Sequence, residues 1–138
     1  MRESLIDKLD MLAADEETDA LDSLKRNTAA LGKARGQQQV LSAYRDRLST
    51  SFQGGVVLDA ALVKNANHYI AATWKAEEQI AANALRIEGN IDRDMDTLAS
   101  VRIERKNLHS ARKKVEMHSA RVLERRAELL TPPRLKRP

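Results

Sequence analysis

Proline is absent from the first 131 residues of this 138-residue chain; all three prolines fall at 132, 133 and 138. Because an interior proline costs a helix about 3 kcal/mol, so long a run without one leaves room for very long helices. One place inside it reads as a reversal: Ser49-Thr50-Ser51 followed by Gly54-Gly55. Small polar residues and paired glycines supply the left-handed backbone that ends a helix and turns the chain. Ser4, with Asp7 three residues on, has the form of a capping box, and Thr131-Pro132-Pro133 is a hard stop. The expectation is a helix over about 4–51, a turn over about 52–56, a helix over about 57–130 and a basic tail over 131–138, all in one coiled-coil domain.

The second helix carries the clearer pattern. Positions 80, 84, 87, 91, 94, 98, 101, 105, 108, 112, 115, 119, 122, 126 and 129 step by alternating fours and threes, the 3.5-residue period of a coiled coil. One half of the series reads Ile80, Ile87, Asp94, Val101, Leu108, Val115, Val122, Leu129; the other reads Ala84, Ile91, Leu98, then Arg105, Arg112, Ser119, Arg126. In the first helix the apolar stripe is taken as Leu5, Leu9 and Leu12, then Leu21, Leu24 and Leu31, then Leu41, Tyr44, Leu48 and Phe52. Gly32 and Gly36 interrupt it. Lys33 and Arg35 lie inside that GxxxG, so a weakened or closely packed helix fits better than a membrane pairing motif. The fold expected is all-α: a long antiparallel two-helix coiled-coil hairpin with an overhanging C-terminal helix.

Folding back at Gly54-Gly55 would set residue i opposite residue 109 − i. Ser4 would then face position 105, where half of the seam turns to arginine. Residues 106–130, about 37 Å of helix, would overhang. Unpaired arginines are costly to bury, so the overhang is expected to be solvated or to await a partner.

Composition agrees with a thin seam. The chain has one Phe, two Tyr and one Trp, and 32% of it is charged. A compact globule of this size fills its interior with more aromatic and apolar bulk. No cysteine is present, which removes disulfides and thiolate metal sites and suits a reducing cytoplasm. MRESLIDKLD does not read as a signal peptide, and no apolar run is long enough to cross a membrane. Charge is lopsided. Residues 1–24 hold eight acids and two bases (−6), residues 102–138 twelve bases and four acids (+8).

Local constellations give little chemistry. Asp92, Asp94 and Asp96 imitate a calcium loop, but Thr97 and Ile103 occupy the positions where Gly and Glu are needed. His68, His109 and His118 lack metal-gripping spacing. The tetrapeptide His-Ser-Ala-Arg recurs at 109–112 and 118–121, but nine residues turn a helix half a revolution, so the copies face opposite sides. With no phosphate loop or catalytic triad, neither an enzyme nor a cofactor site is expected. Arg112-Lys113-Lys114 with Arg121, Arg125, Arg126, Arg134, Lys136 and Arg137 forms a basic run. Nucleic acid is one possible partner of such a run. No aromatic follows Trp74 for base stacking, and Glu104, Glu116, Glu124 and Glu128 break the field, so protein partners fit better. Tyr69 and Trp74 are either seam residues or interface anchors.

Leu41-x-x-Tyr44-x-x-x-Leu48, a Gly-containing turn, then Leu62-x-x-Asn65-x-x-x-Tyr69-Ile70 resembles the FliJ/YscO family. These are the small coiled-coil stalk proteins of the flagellar and injectisome type III export apparatus. The resemblance is clearest over 41–80. Trp74, near where the family tends to be aliphatic, and the dense N-terminal acids leave the flagellar or injectisome branch open. It implies an antiparallel two-helix coiled coil like the central stalk of rotary ATPases, peripheral at the inner-membrane export apparatus on its cytoplasmic side. Partners would be the hexameric export ATPase, the export gate protein and substrate chaperones. Asn65, Tyr69 and Ile70 fall on the gate-contacting segment, with Trp74 beside them. The helix ends, with Arg105, Arg112, Lys113, Lys114, Arg121 and Arg126, would approach the ATPase. A basic nucleic-acid-associated coiled coil and a homo-oligomeric coiled-coil scaffold are the alternatives.

Overall fold

A computed structural model describes the backbone of residues 2–53 and 60–131, with side chains for 4–51 and 60–131. Two helices make up almost all of it: α1 (Arg2–Gln53) and α2 (Ala60–Leu130). There is no strand among the described residues. The fold is all-α, two long helices packed against each other. Ser4 lies inside the first turn instead of capping it, because α1 already begins at Arg2. At the far end, Thr131 donates from its backbone N–H (3.0 Å) and from Oγ1 (2.7 Å) to the Ala127 carbonyl, closing α2 just before the prolines. The Gly54-Gly55 turn and the tail over 132–138 lie outside the described residues.

The chain divides into two compact units, Ala20–Asp96 and Met1–Asp19 with Thr97–Pro138. In the first, α1 turns inward Ala20, Leu24, Asn27, Leu31, Ala34, Gln38, Leu41, Arg45 and Leu48. Opposing these are Ala66, Ile70, Thr73, Glu77, Ile80, Ala84, Ile87, Ile91 and Asp94 of α2; every one is buried or half-buried. Both series step by fours and threes, so the α2 heptad extends back beyond Ile80 to Ala66. Alanines at 20, 34, 66 and 84 are buried, and short side chains at these positions let the backbones approach. Thr73 donates to the Ile70 carbonyl of its own helix, whereas three polar pairs cross between the helices. Asn27 Nδ2 (2.8 Å) and Ser23 Oγ (3.0 Å) donate to the Asp94 carboxylate, and Arg45 pairs with Glu77. At the surface Arg35 pairs with Glu88 at 3.0 Å. Rising numbers on α1 meet falling numbers on α2, so the helices are antiparallel.

The second unit is built differently. Ile6, Asp10, Ala13 and Glu17 form the α1 seam, and Leu98, Val101, Arg105, Leu108, Arg112 and Val115 face it. Ala13, Leu98 and Val101 are its most deeply buried members. The expected stripe of Leu5, Leu9 and Leu12 is turned outward, with Leu12 61% exposed. Tyr44, also assigned to the stripe, is exposed as well. The acids and alanines of α1 answer the arginines of α2 better than leucines would, so the charged face is the one that packs.

Register departs from folding at the glycine pair. Asp10 meets Arg105, not Ala99, and Arg45 meets Glu77, not Lys64. Charge pairing and the seam heptad fix the register, and residues 60–65 of α2 stand exposed. The partnered stretch of α2 thereby reaches Arg112, and the length expected to overhang shrinks accordingly. Gly32 and Gly36 would have open space around an added Cβ, so no close packing uses them; they weaken α1 locally through backbone entropy.

Candidate protein-binding surfaces

Within the unit of Met1–Asp19 and Thr97–Pro138, the centre of the charged seam is the Arg105 guanidinium. It donates from Nε to Asp10 (3.0 Å) and from Nη1 to Glu17 (2.8 Å), while Arg102 Nε reaches Glu17 at 3.3 Å. Arg112 pairs with Asp7. A fork engaging two carboxylates is the geometry arginine suits and lysine does not. Hydrogen bonds from Arg105 and then Arg102 hold the Glu17 carboxyl below its ordinary range. Bonds to Asp10 and then Glu17 hold Arg105 still more firmly protonated. Folding at the glycine pair would leave Arg105 and Arg112 unpaired, at the start of an overhang and on it. They pair instead with acids of α1, because the register carries α1 that far along α2.

Past Arg112 the picture changes. Lys113, Lys114, Arg121, Arg125 and Arg126 are all exposed. Of the later heptad positions only Val115 and Val122 are half-buried, while Ser119, Arg126 and Leu129 are exposed, Leu129 at 86%. Residues 113–130 thus present an apolar ridge with five bases and three acids along it.

The four residues expected to form a patch do not share a face. Ile70 is a seam residue, half-buried. Tyr69 (58% exposed) and Trp74 (53%) are both open to solvent, but five helical residues separate them by about 140°. They flank the seam on opposite sides, with Asn65 one turn before Tyr69. Trp74 carries a partner that sequence reading missed: the Arg45 guanidinium lies over its ring at 3.5 Å from the centroid while also bonding Glu77. That sandwich combines ion pair and cation–π attraction. The signal available was a full heptad on α1, whose members Asp10, Glu17 and Arg45 complement Arg105 and Glu77. Leucine counting hid it.

Asp94 belongs to the seam while Asp92 and Asp96 are exposed, so the three acids do not converge. His68, His109 and His118 are exposed, and no group of three metal-binding side chains occurs among the described residues. No described helix is long and apolar enough to cross a membrane. No family model matches the chain, and neither does any curated protein or solved structure.

Proposed function

We propose that this chain is a stalk protein of a type III export apparatus, flagellar or injectisome. In this reading it binds the export ATPase hexamer and links it to the export gate and substrate chaperones, without catalysing a reaction itself. The observation that carries the proposal is the α2 segment 113–130: an apolar ridge of half-buried Val115 and Val122 and exposed Leu129, edged by exposed bases. Basic charge steers the segment toward an acidic ring surface, and Val115, Val122 and Leu129 then give desolvated contact. The likeness of residues 41–80 to the FliJ/YscO pattern names the class of partner. On that likeness Asn65 and Tyr69 turn toward the gate, at the cytoplasmic face of the inner membrane.

Nucleic acid is the weaker reading. Arg105 and Arg112 are already engaged by α1 acids, and 113–130 keeps only five bases against three acids.

A pull-down from native cytoplasm tests the proposal, with the export ATPase expected to accompany the full chain. A chain ending at Val115 keeps every charge pair of the seam and is expected to lose the ATPase. Reversing Lys113, Lys114 and Arg121 to Glu should slow association and flatten its salt dependence. Undiminished binding by the truncated chain would refute the docking role of the ridge. A mobility shift with duplex DNA that fades steeply with salt would instead favour nucleic acid.

A further inference from the structure

Two surfaces of the same unit are left open, and they match each other. On α1, Leu5, Leu9 and Leu12 form an exposed stripe about 100° around the helix from the seam. The stripe continues into exposed Asp15 and Glu16. On α2, half-buried Val115 at the end of its own α1, half-buried Val122 and exposed Leu129 continue the seam beyond the last α1 charge pair, with exposed Arg125 and Arg126 beside them.

We propose that the chain forms a closed two-fold dimer in which the α2 end of each copy lies parallel along the first turns of α1 of the other. A constant separation of 110 in residue number aligns Leu5 with Val115, Leu12 with Val122, Asp15 with Arg125 and Glu16 with Arg126. In this one register two apolar pairs and two acid–base pairs form, while Leu9 lies against Ser119 and Leu129 against Asp19. At that separation Glu116 meets Ile6, Glu124 meets Ala14 and Glu128 meets Thr18, so no two acids face each other. The antiparallel alternative aligns Leu5 with Leu130 and Leu12 with Leu123, but it sets Asp19 against Glu116. That alternative would also make a head-to-tail contact that propagates, whereas the parallel one closes on itself and uses both surfaces of both copies. Each copy's α1 takes up the heptad groove that the other's α1 leaves past Arg112. The occupant is a second copy of this chain because its own exposed acidic stripe supplies the complement.

The inference is independent of the export-stalk reading and is tested on the purified chain alone. Sedimentation equilibrium over roughly 1–300 μM, where modest interfaces equilibrate, is expected to show a reversible monomer–dimer equilibrium. Reversing Asp15 and Glu16 to Lys should weaken dimerisation about tenfold or more, since two symmetry-related pairs of ion pairs become repulsive. Adding Arg125→Glu and Arg126→Glu to that variant should restore it, a rescue that simple loss of helix would not give. The absence of native cysteine permits a direct check of register. A Leu12→Cys chain mixed with a Val122→Cys chain should form the mixed disulfide under mild oxidation, because bridging needs Cα atoms about 4.4–6.8 Å apart. A Leu12→Cys chain mixed with a Leu129→Cys chain should not. A monomer across the whole range overturns the proposal, as does mass that climbs past two copies. Failure of the charge swap to rescue, or cross-linking at 129 in place of 122, overturns it equally.

Discussion

The unit of residues 20–96 and the unit of residues 1–19 with 97–138 use one heptad grammar with different vocabularies. In the first, aliphatic residues dominate and a few polar residues bond across the seam: Asn27 and Ser23 to Asp94, Arg45 to Glu77. In the second, charge occupies one half of the seam on both helices, with Asp10 and Glu17 answering Arg105. The difference teaches that a coiled-coil position is defined by what lies across from it. Arginine at a seam position is costly when unpaired and tolerable when a carboxylate from the other helix is held against it. It also means that the two units should respond unequally to mutation, acid and salt.

Truncating the aliphatic seam should have the largest effect. Ile87→Ala removes a buried side chain from residues 20–96 and should cost about 2–4 kcal/mol, seen as a lowered denaturation midpoint. Leu98→Ala should cost a similar amount in the other unit. If hydrogen exchange shows both variants opening both units equally, the units are not separate cooperative blocks. Next comes Asp94→Ala, which strips Ser23 and Asn27 of their shared acceptor and should cost about 1–2 kcal/mol. An unchanged midpoint would mean that water replaces the carboxylate without loss.

Acid sharpens the contrast further. The Glu17 carboxyl has its pKa lowered on folding by Arg105 and Arg102. Its contribution is therefore fully present above the unfolded value near 4.5 and lost as pH falls through the folded value below it. Amide protection over 97–112 should drop on acidification from about pH 5 to about pH 3 before protection over 20–96 does. Raising salt should act in the same direction, since these pairs are partly exposed. Simultaneous loss in both units would show that the charged seam is not the weaker one. The smallest effect is a gain. Gly36→Ala meets open space and should stabilise α1 by about 0.5–1 kcal/mol, and Gly32→Ala likewise.

Much of α2 could be read in advance. Every heptad position from Ile80 to Val115 is buried or half-buried, because a 3.5 period over many turns leaves only one face for a partner. The absence of proline leaves room for helices as long as α1 and α2, and α2 ends at Leu130, just before the prolines. On α1 the sequence misled. Leucine marked Leu5, Leu9 and Leu12 as seam, whereas the packed face there is Ile6, Asp10, Ala13 and Glu17. A single helix does not reveal which of two neighbouring stripes will pack, since that depends on the residues brought opposite. The candidate site divides the same way. The basic character of 113–130 follows from charge alone, whereas the sequence left Tyr69 and Trp74 open between seam and edge, and the structure exposes both. What only tertiary structure decided is the register: it sets Arg105 against Asp10 and Glu17, Arg112 against Asp7, and Arg45 over Trp74. A helix fixes the spacing of its own side chains, but a sliding partner can satisfy that spacing in several ways. The sum of charge pairs across the seam selects one.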